Sequence, residues 1–200
     1  MTGGTSTLPL SVEKQRLREL VAVRVRSLDS EARCRMEEAI AARIVALEAF
    51  RHAEQILSYA ALRDEADVGQ VAIEAAARGK RVFLPVVKDD GNLEFCRWEP
   101  GATLRRSSYG VLEPAGGERL GQAPALIIVP GRAFDRRGGR LGRGRGCYDR
   151  FLASPQGRLG PAVGVAFSCQ LLDRVPQGPN DQSVDMVVAE RGLLYAGHRW

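Results

Sequence analysis

The sequence predicts an α/β fold, a three-layer sandwich with a largely parallel sheet and helices on both faces. The first observation behind this prediction is that segments with helical apolar spacing alternate along the chain with short apolar segments of strand length. The second is the fully apolar run at 125–129, which Pro130-Gly131 closes in the manner of a buried parallel strand. Because parallel strands need crossover connections, alternating helices and strands favour this architecture over an antiparallel one.

The elements can be assigned in chain order. A first helix is predicted at 11–28, where five apolar residues fall on one face, and a second at about 30–50, after a break at Asp29-Ser30. The turn 89–92 joins two strands as a hairpin, and residues 99–124, which carry Pro, Gly and Ser, are predicted mostly as loop. The remaining predictions are strands at 55–62, 81–87, 93–98, 125–129, 162–167 and 184–188, and helices at 67–78 and 147–152.

Length and composition are typical of one globular domain. The chain has 200 residues, 44% of them hydrophobic, and we expect one domain over residues 1–200 with residues 1–10 as a loose leader. The longest apolar run is too short to cross a bilayer, and the first residues lack the features of a secretory signal. The four scattered cysteines suit neither a zinc site nor a disulfide framework. We therefore expect a cytoplasmic monomer with no membrane partner.

The net charge of +5 is concentrated in one segment. Between Gly131 and Arg150 there are seven arginines and two aspartates, whereas the rest of the chain is balanced at 22 basic and 22 acidic residues. One positive loop on a neutral chain favours a compact anion over a long polyanion. The charge distribution therefore argues against nucleic acid as a partner.

The stretch 139–152, GRLGRGRGCYDRFL, combines four glycines with four arginines just after the strand 125–129. Glycines let consecutive amides turn toward one anion, arginines supply forked donors that fit phosphate, and the helix that follows adds its dipole. The spacing fits neither the Walker pattern GxxxxGK[ST] nor the dinucleotide pattern GxGxxG. We predict a phosphate site of another type, against the alternative of a solvated loop with incidental arginines.

Candidate residues also lie outside this stretch. On the first helix Lys14 falls among apolar residues and Arg18 at their edge, where the two side chains either snorkel or meet an anion. If magnesium accompanies a nucleotide, the carboxylates at hand are Asp149 and those of the run NDQSVD, although isolated aspartates are also common as caps and turn residues. Glu65, after the first predicted strand, is a candidate for binding a polar ligand group.

The run VPGRAFDRRGGRLGRGRGCYDRFL resembles the signature of the 5-formyltetrahydrofolate cyclo-ligase (methenyltetrahydrofolate synthetase) family. Other similar segments follow in family order from about residue 13 to 191: KQRLR, SYAALRDEADV, GKRVFLPVV, GVLEP, GVAFSCQLLDRVP and NDQSVDMVVAE. The resemblance implies conversion of 5-formyltetrahydrofolate into 5,10-methenyltetrahydrofolate with ATP and Mg²⁺, and release of ADP and phosphate. In the family scheme the formyl oxygen is phosphorylated before nitrogen 10 closes the ring, so the protein mainly positions groups and stabilises charge.

The resemblance also implies a role for each candidate. Arg140 and Arg145 would be catalytic, because they would stabilise the transferring phosphoryl group. Asp149 and Asp181 would hold magnesium. The implied ATP-binding residues are Lys14, Arg18, Arg140, Leu141, Gly142, Arg143, Gly144, Arg145, Gly146, Cys147 and Tyr148. The implied folate-binding residues are Glu65, which would meet the polar edge of the pterin, Tyr109 and Tyr148.

The chain departs from the family pattern at three positions. Cys147 stands where a first tyrosine of a Tyr-Tyr-Asp run is usual, Asn180 where many members have histidine, and Arg132 where an apolar residue is more usual. A thiol cannot stack on a pterin as a ring can, so one alternative is a folate- or nucleotide-binding paralogue without ligase activity. The other is an RNA-binding protein that uses the Arg-Gly loop, against which the neutral remainder of the chain stands.

Overall fold

The computed structural model describes residues 9–195, except for the side chain of Tyr195. Within that range the helices are α1 Leu10–Arg26, α2 Ser30–Ala46, α3 Glu48–His52, α4 Gly69–Ala77 and α5 Cys147–Ala153. The strands there are β1 Gln55–Leu57, β2 Arg81–Val87, β3 Leu93–Trp98, β4 Leu104–Arg106, β5 Leu112–Pro114, β6 Ala125–Pro130, β7 Ala133–Asp135, β8 Arg140–Leu141, β9 Ala162–Val165, β10 Leu171–Leu172, β11 Met186–Ala189 and β12 Gly192–Tyr195. Most of the predicted leader lies outside the described residues, and α1 already begins at Leu10.

A seven-stranded sheet in the order β12-β11-β9-β6-β1-β2-β3 forms the centre of the molecule. The five inner strands run parallel to one another, whereas β3 and β12 pair antiparallel at the two edges. The predicted largely parallel sheet is therefore confirmed. The edge strand β3 belongs to the predicted hairpin, and β12 is an addition that the sequence did not predict.

Neighbouring residues of the inner strands pack on opposite faces of this sheet. Ile56 and Ile128 belong to the cluster that α1, α2 and α4 cover, whereas Leu57 and Ile127 belong to the cluster that contains Phe151 of α5. All four strand residues are fully buried. This two-sided burial explains why the parallel strands are apolar without alternation, and it confirms the three-layer architecture.

The element boundaries differ from the predictions in three places. The predicted helix 30–50 is two helices, because Leu47 is extended and the chain restarts as α3, which places Phe50 in the core. The strand predicted at 55–62 ends at Leu57, where the chain leaves the sheet toward the loops at its edge. Residues 99–124 are mostly loop, as predicted, but they also contain the short hairpin of β4 and β5, which is too short to show an alternating pattern.

No helix within the described residues has both the length and the apolar character that a bilayer-spanning helix needs. The four cysteines, all of which lie in the described part of the chain, are free thiols.

Close packing around Phe134 fixes β7 beneath the arginine-rich loop. A Cβ atom on Gly164 of β9 would overlap the Phe134 ring, and Phe134 is fully buried. We expect Gly164→Ala to lower the free energy of unfolding by about 1–3 kcal/mol, because an overpacked core must shift its neighbours. Urea denaturation measures this change. Gly192→Ala is the matched control, since among the described residues, its two chain neighbours aside, no atom lies within 4 Å of its Cβ position. Equal midpoints for the two variants would contradict the prediction.

Candidate active site

A cavity of about 340 Å³ opens where β1, β2 and β6 end. Residues that follow β1 and residues at the ends of β2 and β6 line it, together with residues of the segment that runs from β8 into the first turn of α5, which we call the Arg-Gly loop (residues 140–149). The carboxyl edge of a parallel sheet is where α/β proteins bind their ligands, and the cavity is large enough for a small molecule. The Arg-Gly loop therefore stands at the position that the sequence predicts for it.

Glycines let the Arg-Gly loop turn tightly around the cavity. Gly144 and Gly146 have φ angles of 100° and 68°, in the left-handed region that other residues rarely adopt. A Cβ atom on Gly142 would lie 2.8 Å from the Arg140 Nη1 atom, so this position has no room for a side chain. Because α5 has only seven residues, we attribute anion binding to the amides and guanidinium groups more than to the helix dipole.

Arg140 is the most deeply buried cation of the loop, with 5% of the residue exposed. One of its terminal nitrogens donates to Asp149 Oδ1 at 2.8 Å, and the Gln182 amide donates to the same oxygen at 3.1 Å. The Arg140 Nε atom is buried and has no hydrogen-bond partner within the described residues. Because the side chain also lines the cavity, Arg140 is held in place with donor capacity left for an anion.

The two predicted basic residues of α1 bind different parts of the site, Lys14 the residue Asp181 and Arg18 the Arg-Gly loop. The Lys14 ammonium pairs with the Asp181 carboxylate, which also accepts the Gly178 amide. Burial alone would raise the pKa of Asp181, but these two hydrogen bonds outweigh burial and hold the pKa below its usual value. The Arg18 Nε atom donates to the Gly142 carbonyl at 2.8 Å. Lys14 and Arg18 therefore do not snorkel into solvent but meet Asp181 and the loop.

Arg143 connects the Arg-Gly loop with the loop that follows β1. Its Nε atom donates to Glu65 Oε1 at 2.9 Å, and a terminal nitrogen pairs with Asp64. The other Glu65 oxygen accepts the Leu62 amide at 3.0 Å. Asp64 pairs in addition with Arg132, which follows β6. The structure thus places the predicted folate-binding residue Glu65 directly beside a predicted ATP-binding residue.

Two tyrosines line the cavity beside these charges. The Arg145 guanidinium carbon lies 4.0 Å from the centre of the Tyr109 ring, in the turn between β4 and β5, which is cation–π geometry. The Tyr148 hydroxyl is buried and has no hydrogen-bond partner among the described residues. Burial, followed by the nearby charge of Glu65, raises the pKa of this hydroxyl far above its usual value, so it stays protonated and available as a donor.

Of the remaining predicted residues, two line the cavity and two do not. Leu141 is buried and does not line it, whereas Cys147 is a half-buried free thiol on the cavity wall. Asp149 lines the cavity, and Asp181 lies one residue before Gln182, whose amide binds Asp149. Within residues 9–195 no group of three or more His, Cys, Asp or Glu side chains could hold a metal ion unaided. A magnesium ion there would need phosphate and water oxygens as further ligands.

Three residues that the sequence reasoning did not assign to the site complete it. Asp64, in the loop after β1, pairs with Arg132, in the loop after β6. Because β1 and β6 are adjacent strands, the opposite charges in these two loops could have predicted the pair. Arg150 donates to the Gly91 carbonyl at 2.6 Å and to the Arg145 carbonyl at 3.1 Å. It thereby ties the Arg-Gly loop to the β2–β3 hairpin, a contact between distant segments that spacing alone does not reveal.

A cationic loop over a cavity at the edge of a parallel sheet is the arrangement of a small-molecule-binding protein. The chain belongs to the 5-formyltetrahydrofolate cyclo-ligase family, whose family model matches residues 10–190. This match confirms the resemblance found in the sequence.

Individual relatives agree with this membership. The chain is 27% identical to 5-formyltetrahydrofolate cyclo-ligase of Mus musculus, over 88% of this chain and 93% of the relative, and 31% identical to that of Escherichia coli, over 78% and 89%. The NMR structure of Aquifex aeolicus 5,10-methenyltetrahydrofolate synthetase matches with a TM-score of 0.80 and 32% identity, over 94% of each chain. A Mycoplasma pneumoniae 5,10-methenyltetrahydrofolate synthetase shares the fold, with a TM-score of 0.72 at 21% identity over 89% and 99% of the two chains.

Proposed function

We propose that this protein is a 5-formyltetrahydrofolate cyclo-ligase that consumes ATP in the presence of Mg²⁺. One observation carries the proposal: a single cavity is lined both by the arginines suited to a triphosphate, Arg140, Arg143 and Arg145, and by the polar and aromatic groups suited to a pterin, Glu65 and Tyr148. Family membership supplies the reaction class. We further expect a cytoplasmic monomer that does not bind nucleic acid.

The reaction needs an activated oxygen and not a protein nucleophile. The formyl oxygen takes the γ-phosphoryl group of ATP and ADP is released. Nitrogen 10 of the folate then attacks the formyl carbon and loses its proton to solvent, and phosphate departs with the former formyl oxygen. Arg140 and Arg145 would stabilise the negative charge on the transferring group, because fixed guanidinium donors need no reorganisation as charge develops. Lys14, Arg18 and the amides of the Arg-Gly loop would hold the remaining phosphate oxygens.

Asp149 and Asp181 fit the requirements of a magnesium ion. Both supply hard carboxylate oxygens, and within the described residues the recorded hydrogen bonds to each carboxylate involve only one of its two oxygens. Magnesium usually takes one or two carboxylates and completes its shell with water and substrate phosphates. When bound, the ion would neutralise phosphate charge during transfer.

The folate would be recognised by groups on the same cavity wall. Glu65 is 6% exposed and carries the carboxylate that could accept N–H donors from the polar edge of the pterin. The unpaired Tyr148 hydroxyl would donate to an acceptor on the substrate. Cys147 offers less stacking area than the usual tyrosine, which keeps a second candidate function in view, a paralogue that binds both ligands without closing the ring.

The production of methenyltetrahydrofolate separates these two functions. We expect the purified protein, given 5-formyltetrahydrofolate, ATP and Mg²⁺, to generate the near-ultraviolet absorbance of the methenyl product together with one ADP per ring closed. Omission of ATP, replacement of ATP by its β,γ-imido analogue, or chelation of Mg²⁺ should each abolish the signal, because phosphoryl transfer then cannot occur. Binding of both ligands with no product would establish the paralogue instead.

A further inference from the structure

Four charged residues form a continuous network beside the cavity, and two of them, Glu65 and Arg143, line it. Arg132 pairs with Asp64, Asp64 pairs with Arg143, and Arg143 pairs with Glu65. The side chains of Asp64 and Glu65 are 16% and 7% exposed, so both carboxylates are largely removed from water. Buried carboxylates of this kind require a compensating cation or hydrogen-bond donors.

The network joins the two proposed substrate sites at one ion pair. Arg143 lies in the loop proposed to hold the triphosphate, and Glu65 is the group proposed to hold the pterin, yet the two side chains bind each other. A triphosphate that attracts Arg143 therefore weakens its bond to Glu65. The Glu65 carboxylate, still buried, is then free to accept the pterin donors, so each ligand favours the other.

Arg132 is the cation that compensates the buried Asp64 carboxylate during this exchange. When Arg143 turns toward phosphate, Asp64 keeps Arg132 as its partner. One cation therefore remains beside the adjacent carboxylates of Asp64 and Glu65. Burial, followed by the charges of Arg143 and Arg18, lowers the pKa of Arg132 to about 10, so Arg132 stays protonated at neutral pH. Arg132 is also a position at which this chain departs from the apolar residue more usual in the family.

We propose that Arg143 couples nucleotide binding to folate binding by exchanging Glu65 for the triphosphate, and that Asp64 and Arg132 are positioning residues for this exchange. The inference rests on the proposed function, since it takes the triphosphate and the pterin as the two ligands. It predicts positive coupling between them, which is reciprocal by thermodynamic necessity.

A binding cycle tests the coupling without turnover. The dissociation constant of 5-formyltetrahydrofolate is measured by calorimetry with and without the β,γ-imido analogue of ATP and Mg²⁺. For the wild-type protein we expect the analogue to tighten folate binding by at least about fivefold. Failure of either ligand to bind would overturn the proposed function, whereas binding of both with a coupling factor of one would overturn this inference alone.

Substitutions test whether the Arg143–Glu65 ion pair causes the coupling between the two ligands. Arg143→Gln should reduce the coupling to less than about twofold while folate binding without nucleotide is equal or tighter. The matched control is Arg137→Gln, an exposed arginine of the preceding segment that does not line the cavity, and it should keep the wild-type coupling. Full coupling in Arg143→Gln would overturn the proposal.

Three further variants give results that a merely structural role would not produce. Glu65→Gln should tighten binding of the nucleotide analogue in the absence of folate, because a carboxylate no longer holds Arg143. Arg132→Leu should weaken binding of the analogue, since Asp64 then depends on Arg143 alone, and Arg132→Lys should restore it because the charge returns. Unchanged nucleotide affinity in both Glu65→Gln and Arg132→Leu would contradict the assigned roles.

Discussion

Replacement of Arg140 by alanine is expected to lower kcat by about 10³-fold, the largest loss among single substitutions in the Arg-Gly loop. Arg140 is buried, is fixed by Asp149 and lines the cavity. A preorganised donor in a water-poor site stabilises developing charge far more than an exposed one, and arginines at a transferring phosphoryl group have effects of this size. Single-turnover formation of methenyltetrahydrofolate measures the chemical step directly.

The same substitution leaves Asp149 without its cation, so loss of activity must be separated from loss of folding. We expect the free energy of unfolding of Arg140→Ala to fall as well, because breaking a buried ion pair strands the remaining charge. Arg140→Lys keeps the charge but not the forked geometry, and should therefore retain intermediate activity. A folded Arg140→Ala protein that binds the ATP analogue and retains wild-type kcat would show that Arg140 has no catalytic role.

The sequence predicted the sheet because its inner strands have a strong and simple signal. A run such as 125–129 is apolar at every position, since alternate residues face two different helical layers. This pattern can be recognised from the sequence alone. The short strands β7, β8 and β10 escaped prediction because two or three residues are too few to establish a period, and β10 in addition pairs with a strand that lies far from it in the chain. Local pattern therefore fixes long elements and misses short ones.

For the site, the sequence indicates which residues take part but not which of them pair with each other. Glycine and arginine content marks the Arg-Gly loop as an anion site, and resemblance assigns Glu65 and Lys14 to ligands. Neither source indicates that Lys14 pairs with Asp181 or that Arg143 pairs with Glu65, because residues 167 and 78 positions apart meet only after the sheet has formed. In the structure, cations proposed to bind phosphate pair with carboxylates proposed to bind magnesium and folate, an arrangement that composition cannot reveal.

Replacement of Arg145 by alanine should lower kcat/KM for ATP by about 10²-fold and leave the fold intact. Arg145 is exposed and makes no ion pair within the described residues, so its removal strands no buried charge. The Tyr109 ring, 4.0 Å away, holds its guanidinium group over the cavity mouth. A group that is positioned by stacking and not by a carboxylate can turn to phosphate at little cost, which is why we assign to it a large effect on ATP use and a small one on stability.

The choice of control decides how this result is interpreted. Arg106 is basic and outside the loop, but it donates to the Gly110 carbonyl at 2.7 Å and so supports the turn that carries Tyr109. Arg137→Ala is the cleaner comparison and should change kcat/KM by less than about twofold, as expected for an exposed side chain away from the site. Tyr109→Phe should behave as wild type and Tyr109→Leu should resemble a mild Arg145 variant, because the ring face and not the hydroxyl holds the cation. Equal losses in Arg145→Ala and Arg137→Ala would mean that general positive charge, and not a guanidinium group at the transferring phosphate, accounts for the loop.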